Sequence, residues 1–143
     1  MLFNELTKYK HNDHFFFEAN QKLAEVCNAP TDKSGVYLIY KLAKEKVELI
    51  YIGISGRKGA DGNIIHRKGG LRGRFLTGKQ FGDRRSKTWL LRMKEENITA
   101  LDIYWYVTHD GDNYKDFPRD IEKVLIKKFH SIYGRLPEWN KEF

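Results

Sequence analysis

Two short stretches rich in β-branched and aromatic residues dominate the middle of the chain. They are GVYLIYK (Gly35 to Lys41) and LIYIGI (Leu49 to Ile54), separated by the polar run LAKEKVE. Val, Ile and Tyr suit a pleated, half-buried surface. Strands this close in sequence are joined naturally by a hairpin. Side chains alternate along a strand. Ile50, Ile52 and Ile54 are therefore expected on the core face. Tyr51 and Gly53 are expected on a less buried face, with Tyr37 on the same parity as Gly35. Gly53 would leave bare backbone beside Tyr51, where a phosphate could approach closely.

The flanking segments build a small domain around this hairpin. Residues 1–33 read as an N-terminal helical arm. Within it HFFFEANQKLAEV places Phe16, Leu23 and Val26 on one side of a helix, and Ala29-Pro30-Thr31-Asp32 breaks it. Packing on the domain is its first expected job, with dimerisation and substrate contact left open. Residues 34–143 form the main domain. Residues 55–70 hold five glycines and no sustained period, which predicts a long loop. LRGRFL begins a short helix with Leu71 and Phe75 on one face. SKTWLLRMKEEN is a helix capped by Ser86, with Trp89, Leu90 and Met93 as its apolar stripe. LDIYWYVT is a third strand, alternating Ile103, Trp105 and Val107 against Asp102, Tyr104 and Tyr106. In FPRDIEKVLIKKFHSIYG, Pro118 sits in the first turn and Gly134 beyond the end, and Ile121, Leu125, Phe129 and Ile132 follow helical spacing. The order implies an α/β (α+β) fold, a three-stranded, mainly antiparallel sheet flanked by helices.

Composition narrows the function classes. The 143 residues suit one domain, and 41% hydrophobic content suits an ordinary core. No apolar run approaches the ~20 residues of a membrane span. The charged N-terminus lacks a small-residue cleavage site, which argues against a signal peptide. A single cysteine, Cys27, excludes an intrachain disulfide and a cysteine-rich zinc site, and fits a reducing cytoplasm as a small buried filler. The net charge of +7 points to a polyanionic partner, nucleic acid first and a membrane surface second.

Gly35-Val36-Tyr37, followed after a short hairpin by Tyr51-Ile52-Gly53, resembles the signature of GIY-YIG nucleases. Further elements come in the family's order: Arg74 on the next helix in LRGRF, Glu122 in EKVLIKKF on a later helix, and Asn140 in LPEWN after it. The resemblance spans roughly residues 34–140. It implies a divalent-metal-dependent endonuclease that hydrolyses phosphodiester bonds in DNA. By resemblance, Tyr51 is the general base or water-orienting group. Glu122 holds the metal, Mg²⁺ or Mn²⁺. Arg74 neutralises charge on the phosphate, Tyr37 hydrogen-bonds within the site, and Asn140 supports it. A free tyrosine has a pKa of about 10, so Tyr51 needs a cation or a metal-bound water close by to act at neutral pH.

One position departs from the pattern. Many family members carry Tyr or His four residues after the catalytic arginine, and here that position is Gly78. His66 is the candidate substitute. Arg57, Lys58, Arg67, Lys68 and Arg72, with Arg84, Arg85, Lys87 and Arg92, are the expected nucleic-acid contacts, giving salt-dependent affinity with little sequence information. Double-stranded DNA is the first expected partner, and cutting both strands with one site per chain favours a homodimer. The rival reading is a non-catalytic nucleic-acid-binding module that keeps the fold, which Gly78 favours and the set Tyr51, Arg74 and Glu122 disfavours. An interaction domain with incidental basic charge is a third.

Overall fold

The computed structural model describes residues 3–111 and 113–141. Its centre is an antiparallel sheet in the order β1-β8-β2-β3, with β9 pairing to β8. These strands are β1 (Asn12–Glu18), β2 (Ser34–Ala43), β3 (Lys46–Ser55), β8 (Ala100–Asp110) and β9 (Tyr114–Lys115). Two small ribbons lie outside the sheet, β4 (Arg57–Lys58) with β5 (Ile64–Ile65), and β6 (Lys79–Gln80) with β7 (Asp83–Arg84). The helices are α1 (Leu23–Val26), α2 (Gly70–Thr77), α3 (Arg85–Glu95) and α4 (Pro118–Tyr133). The fold is α+β. No helix among the described residues is long and apolar enough to cross a membrane.

The sheet has five strands rather than three, because the N-terminal segment joins it as β1 and Tyr114–Lys115 adds β9. HFFFE does not form the expected helical arm. Phe15 and Phe17 are 5% and 0% exposed while Phe16 is 46% exposed. That is a period of two, and β1 pairs with β8 from Asn12↔Tyr106 to Glu18↔Ala100. Only Leu23–Val26 is helical within HFFFEANQKLAEV. Residues 55–70 are also more ordered than a plain loop, since β4 and β5 pair there.

β2 and β3 turn on Lys44 and Glu45, both at positive φ (52° and 62°). This two-residue loop suits the right-handed twist of paired strands. Further along, the register slips between Ile39 and Tyr40, so that Ile39 pairs with Tyr51 but Tyr40 with Leu49. Ile50 is the extra residue of a β-bulge. The bulge breaks the expected isoleucine face. Ile50 joins the core of Tyr37, Ile39 and Trp139, and Ile52 lies in the opposite core with Val36 and Leu38.

Both faces of the sheet are covered. On one, Phe17, Ile103, Trp105 and Tyr37 pack against α2 and α3 through Leu71, Phe75, Trp89 and Met93. On the other, Val36, Leu38, Ile52 and Tyr106 meet Leu125, Ile126 and Phe129 of α4, with Phe3, Leu6 and Tyr9 from the N-terminus. Each fully buried Leu, Ile or Phe side chain contributes about 1.5–3 kcal/mol. α4 begins at Pro118 and stops at Gly134, which adopts the left-handed conformation. Ile126 takes the core position, while Ile132 is exposed. Ser86 lies one residue inside α3 and forms no cap. Cys27 is buried and free, as expected.

β3 is an edge strand, and the C-terminal segment closes its open side. The Trp139 N–H donates to the Ile50 carbonyl (2.8 Å), which the bulge leaves outside the ladder. The Asn140 side-chain amide accepts from the Ile52 N–H and donates to the Ile52 carbonyl, both at 3.0 Å. A carboxamide thus stands in for a neighbouring strand, and the unpaired edge groups find partners.

Candidate active site

Tyr51 emerges next to the bulge, half-buried, on the face shared with α2 and α3. Tyr37 stands on the neighbouring strand and is 0% exposed. The two rings are 5.9 Å apart between centroids, and Phe75 packs edge-on against Tyr37 at 4.8 Å. Gly53 does not open a gap for a ligand. A Cβ there would overlap the Tyr37 ring and hydroxyl and the Tyr51 ring. Its bareness is what lets the two phenols lie together over the strand. The space beside Gly53 is thus filled by the two rings and is not open to a phosphate.

Arg74 comes from α2 and Glu122 from α4. Tyr51 and Glu122 line one cavity of about 440 Å³, together with Arg119, Phe81 and Asn140. Arg74 lines a second cavity, of about 460 Å³, with Arg57, His66, Arg67 and Lys68. Its charge nevertheless reaches the first site. The Arg74 guanidinium is held above its ordinary range chiefly by Tyr37, with Tyr51 adding to it, and it lowers both Tyr51 and Glu122. The Arg74 Nε is buried without a hydrogen-bond partner.

Burial decides the protonation of both acids. The Tyr51 phenol is pushed up by desolvation first and by Tyr37 second, and the pull of Arg85 and Arg74 does not offset this. At neutral pH it is a protonated hydrogen-bonding group. The Glu122 carboxyl is pushed up by burial, against the pull of Arg119, Arg74 and Lys123. No hydrogen bond or ion pair to its carboxylate is present among the described residues. A half-buried carboxylate without a partner on a cavity wall suits a cation. No group of three or more His, Cys, Asp or Glu residues stands together among the described residues. One carboxylate such as Glu122 could hold only an ion that keeps most of its waters, as Mg²⁺ does, and is too small a donor set for zinc.

No protein-family model, curated protein or solved structure matches this chain.

The remaining expected residues divide by what they touch. Asn140 reaches the site by holding the Ile52 backbone, next to Tyr51. His66 Nδ1 lies 2.7 Å from Ser34 Oγ and faces the cavity of Arg74, not that of Tyr51. Arg57, Arg67 and Lys68 share that cavity, and Lys58 lies over the Phe117 ring at 5.1 Å. Arg84 is exposed, and Lys87 pairs with Asp83 at 3.4 Å on the surface. Arg92 stacks on Phe81 at 4.0 Å, beside the Tyr51 cavity.

Two arginines expected at a nucleic-acid surface have internal duties instead. Arg72 donates from Nη1 to the Cys27 carbonyl (2.7 Å) and from Nη2 to the Ala24 carbonyl (2.8 Å), tying α2 to the end of α1. Arg85 is 0% exposed. It donates to Tyr37 Oη (2.9 Å) and to the Arg74 carbonyl (2.8 Å). The basic run GDRRSK gives no hint of which arginine turns inward. Arg119 also belongs to the site, and its position three residues before Glu122 on a helix was the available signal.

Proposed function

We propose that this chain is a divalent-metal-dependent endonuclease of the GIY-YIG type that hydrolyses DNA, double-stranded DNA first. The observation that carries the reading is the gathering of Tyr51, Tyr37, Arg74, Glu122 and Asn140 around the edge of β3. They come from separate elements, and in the sequence they are the positions that match the GIY-YIG pattern. A pure packing role does not call for a half-buried carboxylate with no hydrogen bond or ion pair among the described residues, beside two phenols and a guanidinium.

In this reading the scissile phosphate lies between Arg74 and Glu122. Arg74 stabilises the charge that grows on the phosphoryl oxygens, where a guanidinium makes paired hydrogen bonds. Tyr51 orients the attacking water through its hydroxyl oxygen and takes that water's proton as its own passes to solvent, a transfer that the Arg74 charge eases. The P–O3′ bond breaks as water attacks phosphorus, and the departing 3′-oxygen takes up a proton from solvent, leaving a 3′-hydroxyl and a 5′-phosphate. Glu122 would hold Mg²⁺ or Mn²⁺, which when bound supplies Lewis-acid charge at the phosphate and leaving oxygen. Asn140 keeps β3 in register beneath Tyr51. Arg57, Arg67 and Lys68 supply contacts to flanking phosphates. Cutting both strands would call for two copies acting as a homodimer.

The test is plasmid cleavage in Mg²⁺, with chelator as a control. Wild-type protein is expected to nick or linearise the plasmid only with metal present, and Tyr51→Phe and Glu122→Gln are expected to bind DNA without cutting. A wild-type protein that binds DNA and cuts none with any divalent ion would leave the non-catalytic binding module as the function.

A further inference from the structure

Gly78 lacks the side chain that the sequence pattern leads one to expect, and the structure shows what occupies its place. A Cβ at Gly78 would overlap Arg85 Nη1 and the Arg74 carbonyl. The guanidinium of Arg85 fills that space. Arg85 comes from the first turn of α3, and its side chain points inward between the two phenol-bearing strands and α2.

This is an unusual burial. Arg85 is 0% exposed. Its hydrogen bonds go to a phenol and a backbone carbonyl, at 2.9 and 2.8 Å, and neither is a carboxylate. Its Nε has no partner. The guanidinium lies 5.8 Å from the Tyr37 ring centre and 5.7 Å from that of Trp89. Burying a cation without a counter-charge is costly. Buried charged groups are often replaced by apolar residues of similar volume at no loss of stability, so a buried arginine here points to a role beyond packing.

We propose that Arg85 is a positioning residue of the active site: from the space left by Gly78, its guanidinium fixes the Tyr37 phenol and supplies the positive field at the Tyr51 hydroxyl. This rests on the reading of Tyr51 as the water-handling group. The groups around Tyr51 are Tyr37 from β2, Arg74 from α2, Arg85 from α3 and Glu122 from α4, with Arg119 and Lys141 on the cavity wall. Arg74 and Arg85 both act against burial to ease loss of the Tyr51 proton, and Arg85 also holds the hydroxyl of Tyr37, whose ring lies 5.9 Å from that of Tyr51. Arg74 is committed to the phosphate. Arg85 has no route to substrate, and it acts through the phenols.

The experiment places difluorotyrosine at position 51, bringing the phenol titration into an accessible pH range, and follows it by ¹⁹F NMR beside a pH–rate profile for plasmid cleavage. Arg85→Met keeps volume and removes charge. Its ¹⁹F titration and the rising limb of its rate profile should both move up by about one pH unit or more, a tenfold effect per unit. Arg85→Lys keeps the charge and loses the fork. Its titration should stay within about half a unit of wild type while its rate falls. An Arg85→Met protein with the wild-type titration overturns the proposal, and so does an Arg85→Lys protein whose titration moves as far as that of Arg85→Met. Should Arg85→Met not fold, Arg85→Gln takes its place with the same expected and overturning results. Should the wild type cut no DNA, the nuclease reading fails while the ¹⁹F titration still decides the role of Arg85.

Discussion

Glu122 carries a cost in the folded protein that makes its role testable without substrate. Burial raises its pKa above the unfolded value. Between the two values the folded state binds more protons, so stability falls as pH rises through that window and stays lowered above it. Glu122→Gln should therefore raise Tm at neutral pH, and the gain should vanish at about pH 3, below the usual carboxyl range. Thermal melts at the two pH values check this, and a Gln variant that melts lower at pH 7 would show that the carboxylate is partnered after all. Tyr51, Tyr37, Arg74, Glu122 and Asn140 were visible in the sequence only through the resemblance to the GIY-YIG pattern. What fills a glycine's empty side was not visible, because that is set by elements far away in the chain. Gly53 is covered by Tyr37, and Gly78 by Arg85. For the same reason Arg85 looked like one more surface cation in a basic run.

At the level of elements, the central hairpin, α2, α3, β8 and α4 were all legible from periodicity and end signals. The N-terminus was not. Phe15, Phe16 and Phe17 in a row satisfy a helical stripe and a strand equally, and only pairing to β8 decides between them. The strand assignment predicts opposite outcomes for adjacent residues. Phe17→Ala should cost about 3–5 kcal/mol, as a buried phenylalanine does, and Phe16→Ala should stay within about 0.5 kcal/mol. Urea denaturation of both variants measures this, and similar losses would point back to a helix. The bulge at Ile50 was hidden too, since nothing in LIYIGI marks which residue is extra. It shapes the site, because it turns Ile50 inward beside Tyr51 and frees the carbonyl that Trp139 binds.

The molecule as a whole brings one strand edge, three helices and a C-terminal segment to a single place. The sheet is buried on both faces, so the residues of the proposed site gather at the β3 edge rather than on an open sheet surface. The central claim is that Tyr51 and Glu122 act there as one hydrolytic unit. Its most direct test is the single-turnover cleavage rate of duplex DNA in Mg²⁺ by wild type, Tyr51→Phe, Glu122→Gln and the double variant. Each single variant is predicted to lose about 10²–10⁴-fold, and the double variant to be no slower than the worse single one, as for groups that work together. Losses that multiply in the double variant, or a wild-type rate indistinguishable from the metal-free control, would contradict the account.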